Sequence, residues 1–211
     1  VVFLTGPTGS GKSTTLYAIL QEIKSAEKNI VTVEDPVEYR LSGINQVQVK
    51  PEIGLTFASA LRSFLRQDPD IMLVGEVRDL ETAEICVRSA LTGTRALHTN
   101  DAPSAITRLI DIGVEPFLLA PTVLAVVGQR LVRRLCPECR EAYRPTTKEL
   151  GSVKLNADTI YRAKGCPACN STGYRGRTLV AEIMSSSEDL KALITRNVSY
   201  QNMRELARKL G

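Results

Sequence analysis

The 211 residues contain no tryptophan and one histidine, and aromatic residues make up 5% of the chain. This scarcity leaves no array of rings on which unpaired bases could stack, which argues against a surface built to track single strands. Neither sign of charge dominates: 27 Lys and Arg stand against 23 Asp and Glu, a net charge of +4. So mild a balance permits contact with acidic headgroups or nucleic acid without demanding either. Long hydrophobic runs are also missing. The longest, Phe117 to Val127, is interrupted by Pro121 and Thr122 and falls well short of the ~20 apolar residues that a membrane-spanning helix needs. No secretory leader, low-complexity tract or internal repeat is visible. With 43% hydrophobic and 24% charged residues, the composition is that of an ordinary globular protein, long enough for one large core with a small appendage. The chain starts without Met inside the apolar run Val1-Val2-Phe3-Leu4, and we read it as a piece lacking its N-terminal part.

What is present is a phosphate cradle. Gly6, Pro7, Thr8, Gly9, Ser10, Gly11, Lys12 and Ser13 lie between that run and a helical pattern from Thr14 to Ala26. A glycine-rich turn between strand and helix lets successive backbone N–H groups point at one anion, and the helix adds the positive end of its dipole. Lys12 is then placed for the β- and γ-phosphates, the Ser13 hydroxyl for Mg²⁺, and Thr14 completes the start of the helix. Every fixed position of the P-loop pattern is filled, so ATP is the expected ligand and an α/β P-loop NTPase core the expected fold. An ATP user works in a reducing compartment, so its five cysteines are expected as thiols or metal ligands.

Downstream, Ile30 to Val33 reads as a buried parallel strand ending in Glu34, Asp35, Pro36, Val37 and Glu38; in a doubly wound sheet such acids collect beside the cradle. Ile44 to Val49 alternates apolar and polar, as a strand on the sheet's margin does. Thr56 is expected to cap a helix through Arg66, ended by Asp68-Pro69. Ile71 to Val74 is a second buried strand, followed by Gly75 and Glu76. Four apolar residues and then an acid form a Walker B signature with Glu where Asp is usual. Glu76 is either a carboxylate for the water shell of Mg²⁺ or an acid solvated at a strand end, and the upstream cradle favours the first. A helix from about Leu80 to Leu91 closes at Gly93. Between Gly93 and His98 an α/β order wants a core strand, yet only Thr94 to Leu97 is available; the strand is stunted or residues have been closed up in the numbering, and we favour the second. His98 is expected at a strand end near both acidic clusters, where it is structural or contacts the γ-phosphate; its setting favours the contact. Asp101 is a plausible cap for a helix through Ile112 with Pro103 in its first turn.

Cys136, Cys139, Cys166 and Cys169 form two C-x-x-C knuckles 26 residues apart. Four thiolates are what a closed tetrahedral Zn²⁺ site needs, against unmetallated thiols or a redox pair as the other readings. Two amphipathic helices, after Ser187 and after Ser199, close the chain. We expect a core over 1–135, a zinc subdomain over 136–178 and a helical part over 179–211.

Together these motifs resemble one family, the hexameric ATPases of type II secretion and type IV pilus assembly, in their C-terminal ATPase domain. The likeness rests on the cradle with Thr14 to Ala18, Val33 to Glu38, Gly43 to Val49, Gly54 to Phe57 and Leu65 to Asp70. It continues through Val74 to Asp79, His98 to Asp101, Gln129 to Leu131 and the four cysteines. The resemblance implies a RecA-like core in which Glu34 activates water, Glu76 sits near Mg²⁺ and His98 meets the γ-phosphate. It implies ATP, Mg²⁺ and Zn²⁺ as cofactors and a homo-hexamer that acts on an inner-membrane platform protein. The motor would lie at the cytoplasmic face of the bacterial inner membrane, associated through partners, with no nucleic acid expected. Two departures stand out: Thr94 replaces an earlier family histidine, and the arginines of the family's N-terminal domain are not in this chain. Two rivals remain. One is a P-loop motor on nucleic acid, using Arg130, Arg133 and Arg134; the other is a nucleotide-gated binding module without turnover.

Overall fold

The computed structural model describes residues 1–91, 95–100, 104–153, 157–196, 201–203 and 205, with the backbone alone for 95–100, 104 and 151–153. The chain divides into two compact units, one of residues 1–130 with 181–211 and one of residues 131–180.

In the first unit, β1 (Val2–Thr5) leads through the cradle into α1 (Lys12–Ile23), and β2 (Ile30–Glu34) follows. Next come β3 (Asn45–Gln48), α2 (Phe57–Phe64), β4 (Ile71–Val74), α3 (Leu80–Leu91) and β5 (Arg95–Asn100). They are followed by α4 (Ser104–Asp111) and α5 (Pro116–Leu119); β6 (Ala125–Leu135) starts in this unit and ends in the second, and β9 (Tyr174–Ser185) returns from the second and leads into α7 (Glu188–Thr195). One seven-stranded sheet runs β3-β2-β4-β5-β1-β6-β9. The registers from β3 across to β6 are all parallel, with Val31 opposite Asn45, Ile30 opposite Ile71, Ile71 opposite Arg95, and Val2 opposite both Leu97 and Ala125. The expected α/β fold with a parallel sheet is the one that forms.

Continuous apolar strands follow from burial on both faces. Side chains alternate across a strand, so Phe3, Val31, Val33, Met72 and Val74 join one core with α2, α3, α4 and α7. Leu4, Ile30, Ile71 and Leu73 join the other with Leu16, Tyr17 and Leu20 of α1. The same alternation puts Thr32 and Glu34 on the α1 side of β2. Thr56 caps α2 as expected, its hydroxyl accepting from Ser59 N at 3.2 Å. Ser187 caps α7, accepting from Leu190 N at 3.1 Å. Leu190, Ile194 and Met203 belong to the first core.

One expectation is corrected. The strand after Gly93 is neither stunted nor ended at Leu97: β5 has six residues and carries His98, Thr99 and Asn100 within it. It is held from both sides, His98 lying opposite Phe3 and opposite Val74, so His98 sits inside the strand and not at its end. The closures expected at Gly93 and Asp101, Pro103, and most of the helix after Ser199 lie outside the described residues.

In the second unit, β7 (Glu141–Tyr143) and β8 (Ile160–Arg162) form an antiparallel pair, with α6 (Thr147–Val153) between them in sequence. Among the described residues, its interior is a cluster of cysteines and no aliphatic core comparable to the first unit's.

Candidate functional site

The cradle is shaped by two constraints. A Cβ on Gly6 would lie 2.2 Å from the carbonyl oxygen of Gln129, with φ at +146°, so no other residue lets β1 turn this close to β6. Gly11 takes the left-handed conformation at the start of α1, where no side chain caps the helix; a helix start of this kind offers its first-turn amides to an anion. Gln129 ties the loop down from β6, its buried amide donating to Ser10 O at 2.8 Å. Lys12 Nζ donates to the Gly6 and Pro7 carbonyls, folding the cation over the loop that it would share with phosphate oxygens.

β2 and β4 are neighbours, and their carboxyl ends close on the cradle. Gly75 N donates to Val33 O at 2.8 Å, and a Cβ on Gly75 would stand 3.2 Å from Glu34 Cα. Glycine at this point lets the two acid-bearing strand ends lie side by side. The resulting cleft is lined by Lys12 and Ser13 of the cradle, Tyr17 of α1, Glu34, Asp35 and Glu38 after β2, and Gly75 and Glu76 after β4. Four residues far apart in sequence, Lys12, Ser13, Glu34 and Glu76, are thus brought around one space. Pro7, Thr8, Gly9, Ser10 and Thr14 complete the loop and the first turn of α1 without lining this cleft. For His98 the register alone is described: it lies opposite Val74, two residues before Glu76.

The two acids differ in setting. Glu34 is 5% exposed; Tyr17 OH donates to its Oε2, while Oε1 accepts from Thr32 Oγ1 at 2.6 Å and from Gln46 Nε2 at 3.3 Å. An ionised carboxylate has about four acceptor sites, so three donors fix its plane and leave one for a water. Burial, and then the bond to Glu34, push the Tyr17 phenol well above its ordinary range, so it stays a donor at neutral pH. Glu76 has a side chain 27% exposed and pairs with Arg78 Nε at 2.8 Å. A contact so open to solvent is worth little and can be exchanged for another cation. Among the described residues lining the cleft, Lys12 is the one cation facing four carboxylates. A triphosphate entering there meets repulsion that a divalent ion must relieve. Ser13 and Glu76 both line this cleft, and their oxygens are the kind that could hold such an ion.

Sequence reasoning did not single out Tyr17, Thr32, Gln46, Gly75 and Gln129 as site residues. Thr32 had a signal, since a residue two before Glu34 on a strand shares its face. The others lie in stretches quoted for the family likeness, but nothing there gave them a role of their own, because their roles depend on which elements pack together.

In the second unit the four sulfurs of Cys136, Cys139, Cys166 and Cys169 lie within 4.8 Å of one another. Three pairs are resolved, 136 with 166 at 3.9 Å, 139 with 169 at 3.8 Å and 166 with 169 at 3.7 Å. A tetrahedron with Zn–S bonds of about 2.3 Å has edges of about 3.8 Å, so the donor set fits zinc. Burial raises the Cys169 thiol, but amides of Cys166 and Gly173, each 3.2 Å from its sulfur, outweigh this and bring it down to about 6. Burial and bonds to neighbouring thiols hold Cys166 up at about 12. Cys86 is buried in the first core, far up at about 12 through burial, and packs as a small apolar residue.

The family described as type II/IV secretion system protein matches residues 1–211. The type II secretion system ATPase E of Vibrio cholerae is 52% identical over 209 residues, which cover 96% of this chain and 42% of that protein. The type IV pilus assembly ATPase PilB of Myxococcus xanthus is 47% identical over 220 residues, covering 100% of this chain and 39% of its own. The crystal structure of the pilus retraction motor PilT with bound ADP aligns with a TM-score of 0.71 at 29% identity, over 99% of this chain and 53% of that one. The chain therefore spans about two-fifths of the length of these curated relatives.

Proposed function

Since the chain belongs to the type II/IV secretion system protein family, we propose that it is the ATP-hydrolysing part of a motor for type II protein secretion or type IV pilus assembly. The observation that carries this reading is the single cleft in which the cradle's Lys12 and Ser13 face Glu34 and Glu76. The loop amides and Lys12 bind the phosphates. Glu34, held by three donors with one acceptor site to spare, orients a water and takes its proton as the water attacks in line. Mg²⁺ held by Ser13 and Glu76 would supply charge neutralisation at the phosphates. His98 contacts the γ-phosphate from the neighbouring strand.

Zn²⁺ held by Cys136, Cys139, Cys166 and Cys169 takes all four positions of a closed site, so its role is to hold residues of the second unit together. The whole protein acts as a homo-hexamer at the cytoplasmic face of the bacterial inner membrane, engaging a platform protein there, and closure around nucleotide drives its subunits. In the intact protein, Lys12→Ala is expected to abolish nucleotide binding, while Glu34→Gln keeps binding and stops turnover, measured by a fluorescent ATP analogue and by phosphate release. Turnover at the parental rate in Glu34→Gln would remove the role given to that residue. Tight, salt-sensitive DNA binding by the intact protein would instead favour the nucleic-acid alternative.

A further inference from the structure

The proposed base is held by the helix that also carries the phosphate-binding groups. Lys12 and Ser13 open α1, and Tyr17, four residues after Ser13, shares their side of it one turn on. The Tyr17 ring is 1% exposed, packed edge-on against Tyr39 with centroids 4.7 Å apart, and its hydroxyl ends on Glu34 Oε2. The same hydroxyl accepts from Glu38 N at 3.3 Å, so its one proton is committed to the carboxylate. Gln46, on the edge strand β3, reaches Glu34 from the other side. Its amide oxygen takes the Leu41 N–H at 2.7 Å, which turns the NH₂ group toward Glu34 Oε1 and Tyr39 O.

We infer that Tyr17 and Gln46 are positioning residues for Glu34, clamping its carboxylate from α1 and from β3 so that the one remaining acceptor site faces the phosphate cleft. This rests on Glu34 being the base. A buried carboxylate could be kept on its strand by Thr32 alone, whose hydroxyl is two residues away on the same face. The extra donors come from elements that also define the site. Because α1 is rigid, a phosphate seated at its start and a carboxylate bonded one turn later are set at a fixed distance.

The test compares the intact protein with its Tyr17→Phe, Gln46→Glu, Glu34→Asp and Glu34→Gln variants, measuring kcat, KM for ATP and binding of a fluorescent ATP analogue. Tyr17→Phe keeps the packed ring and removes the hydroxyl, which is the donor to Glu34 and an acceptor for Glu38 N and Gln46 Nε2. Its kcat is expected to fall roughly ten- to a hundredfold, with KM and analogue binding within about twofold of the parent. Gln46→Glu keeps an oxygen for the Leu41 N–H and replaces the donor to Glu34 with a carboxyl oxygen that also repels it, so it is expected to show the same split with a larger fall in kcat. Glu34→Asp withdraws the carboxylate from Tyr17 by one methylene, so adding Tyr17→Phe to it should cost no more than about another twofold. Parental kcat in both Tyr17→Phe and Gln46→Glu, with Glu34→Gln inactive, overturns the inference and leaves the base in place. A Tyr17→Phe loss of equal size in the parent and in Glu34→Asp also overturns it, since that is the behaviour of a group acting on the helix and not on the carboxylate. Full turnover in Glu34→Gln strikes the premise itself and is read separately from either.

Discussion

At Gly6 a hydrogen atom is the whole side chain because nothing larger fits. The Gln129 carbonyl occupies the position where a Cβ would stand, and the backbone angle is one that L side chains rarely adopt. Gly6→Ala should therefore force β1 and β6 apart, cost roughly 1–3 kcal/mol of stability and weaken nucleotide binding at least as much as it weakens the fold. Thermal unfolding and titration with a fluorescent ATP analogue would show both; parental values in each would contradict this account of the loop. Glu34 and Glu76 make the complementary point. Both are strand-terminal acids in sequence, yet one is buried under three donors and the other is a partly exposed partner of Arg78. The base and Mg²⁺ roles proposed for them, first suggested by the family resemblance, are consistent with that difference in solvation, which the residue types alone do not contain.

At the scale of elements, β1, β2 and β4 were legible because a strand buried on both faces must be apolar throughout. β5 was not. It begins with Arg95 and ends with His98, Thr99 and Asn100, and it is a strand because β1 and β4 offer it ladder partners on both sides. β6 and β9 were equally hidden, since the runs Gln129 to Leu135 and Arg175 to Ser185 mix charge with apolar residues and are largely exposed. The second unit has a short strand pair and, among its described residues, no aliphatic core, so its order should depend on metal. A strong chelator is expected to strip hydrogen-exchange protection from residues 131–180 while protection in β1, β2 and β4 survives, because apparent binding energies of ~10–16 kcal/mol are typical for small structural zinc sites. Retained protection around the four cysteines after complete metal removal would show that thiol packing alone holds the unit.

For the whole molecule, the decisive quantity is the charge in the cleft. Four carboxylates line it with Lys12 as the one described cation, and Mg²⁺ alone would leave the developing phosphoryl charge poorly balanced. Since the chain covers about two-fifths of its relatives, we expect the isolated chain to bind ATP but turn it over slowly. The intact protein should be faster by a factor approaching the ~10³–10⁵ that an added arginine supplies in related phosphoryl transfer. Steady-state rates of the two, at matched concentration, decide it; equal rates would mean that the residues described here suffice.

The amino-acid sequence by itself determined the cradle, the two acids and the four cysteines, because each is a local pattern whose chemistry is set by residue type and spacing over a few positions. Only the tertiary structure decided that Tyr17 and Gln46 grip Glu34, that Gln129 pins the loop and that β5 runs on through His98 to Asn100 between β4 and β1. Those facts depend on which strands become neighbours, and neighbours in a parallel sheet are joined through long crossovers that erase any local signal of the pairing.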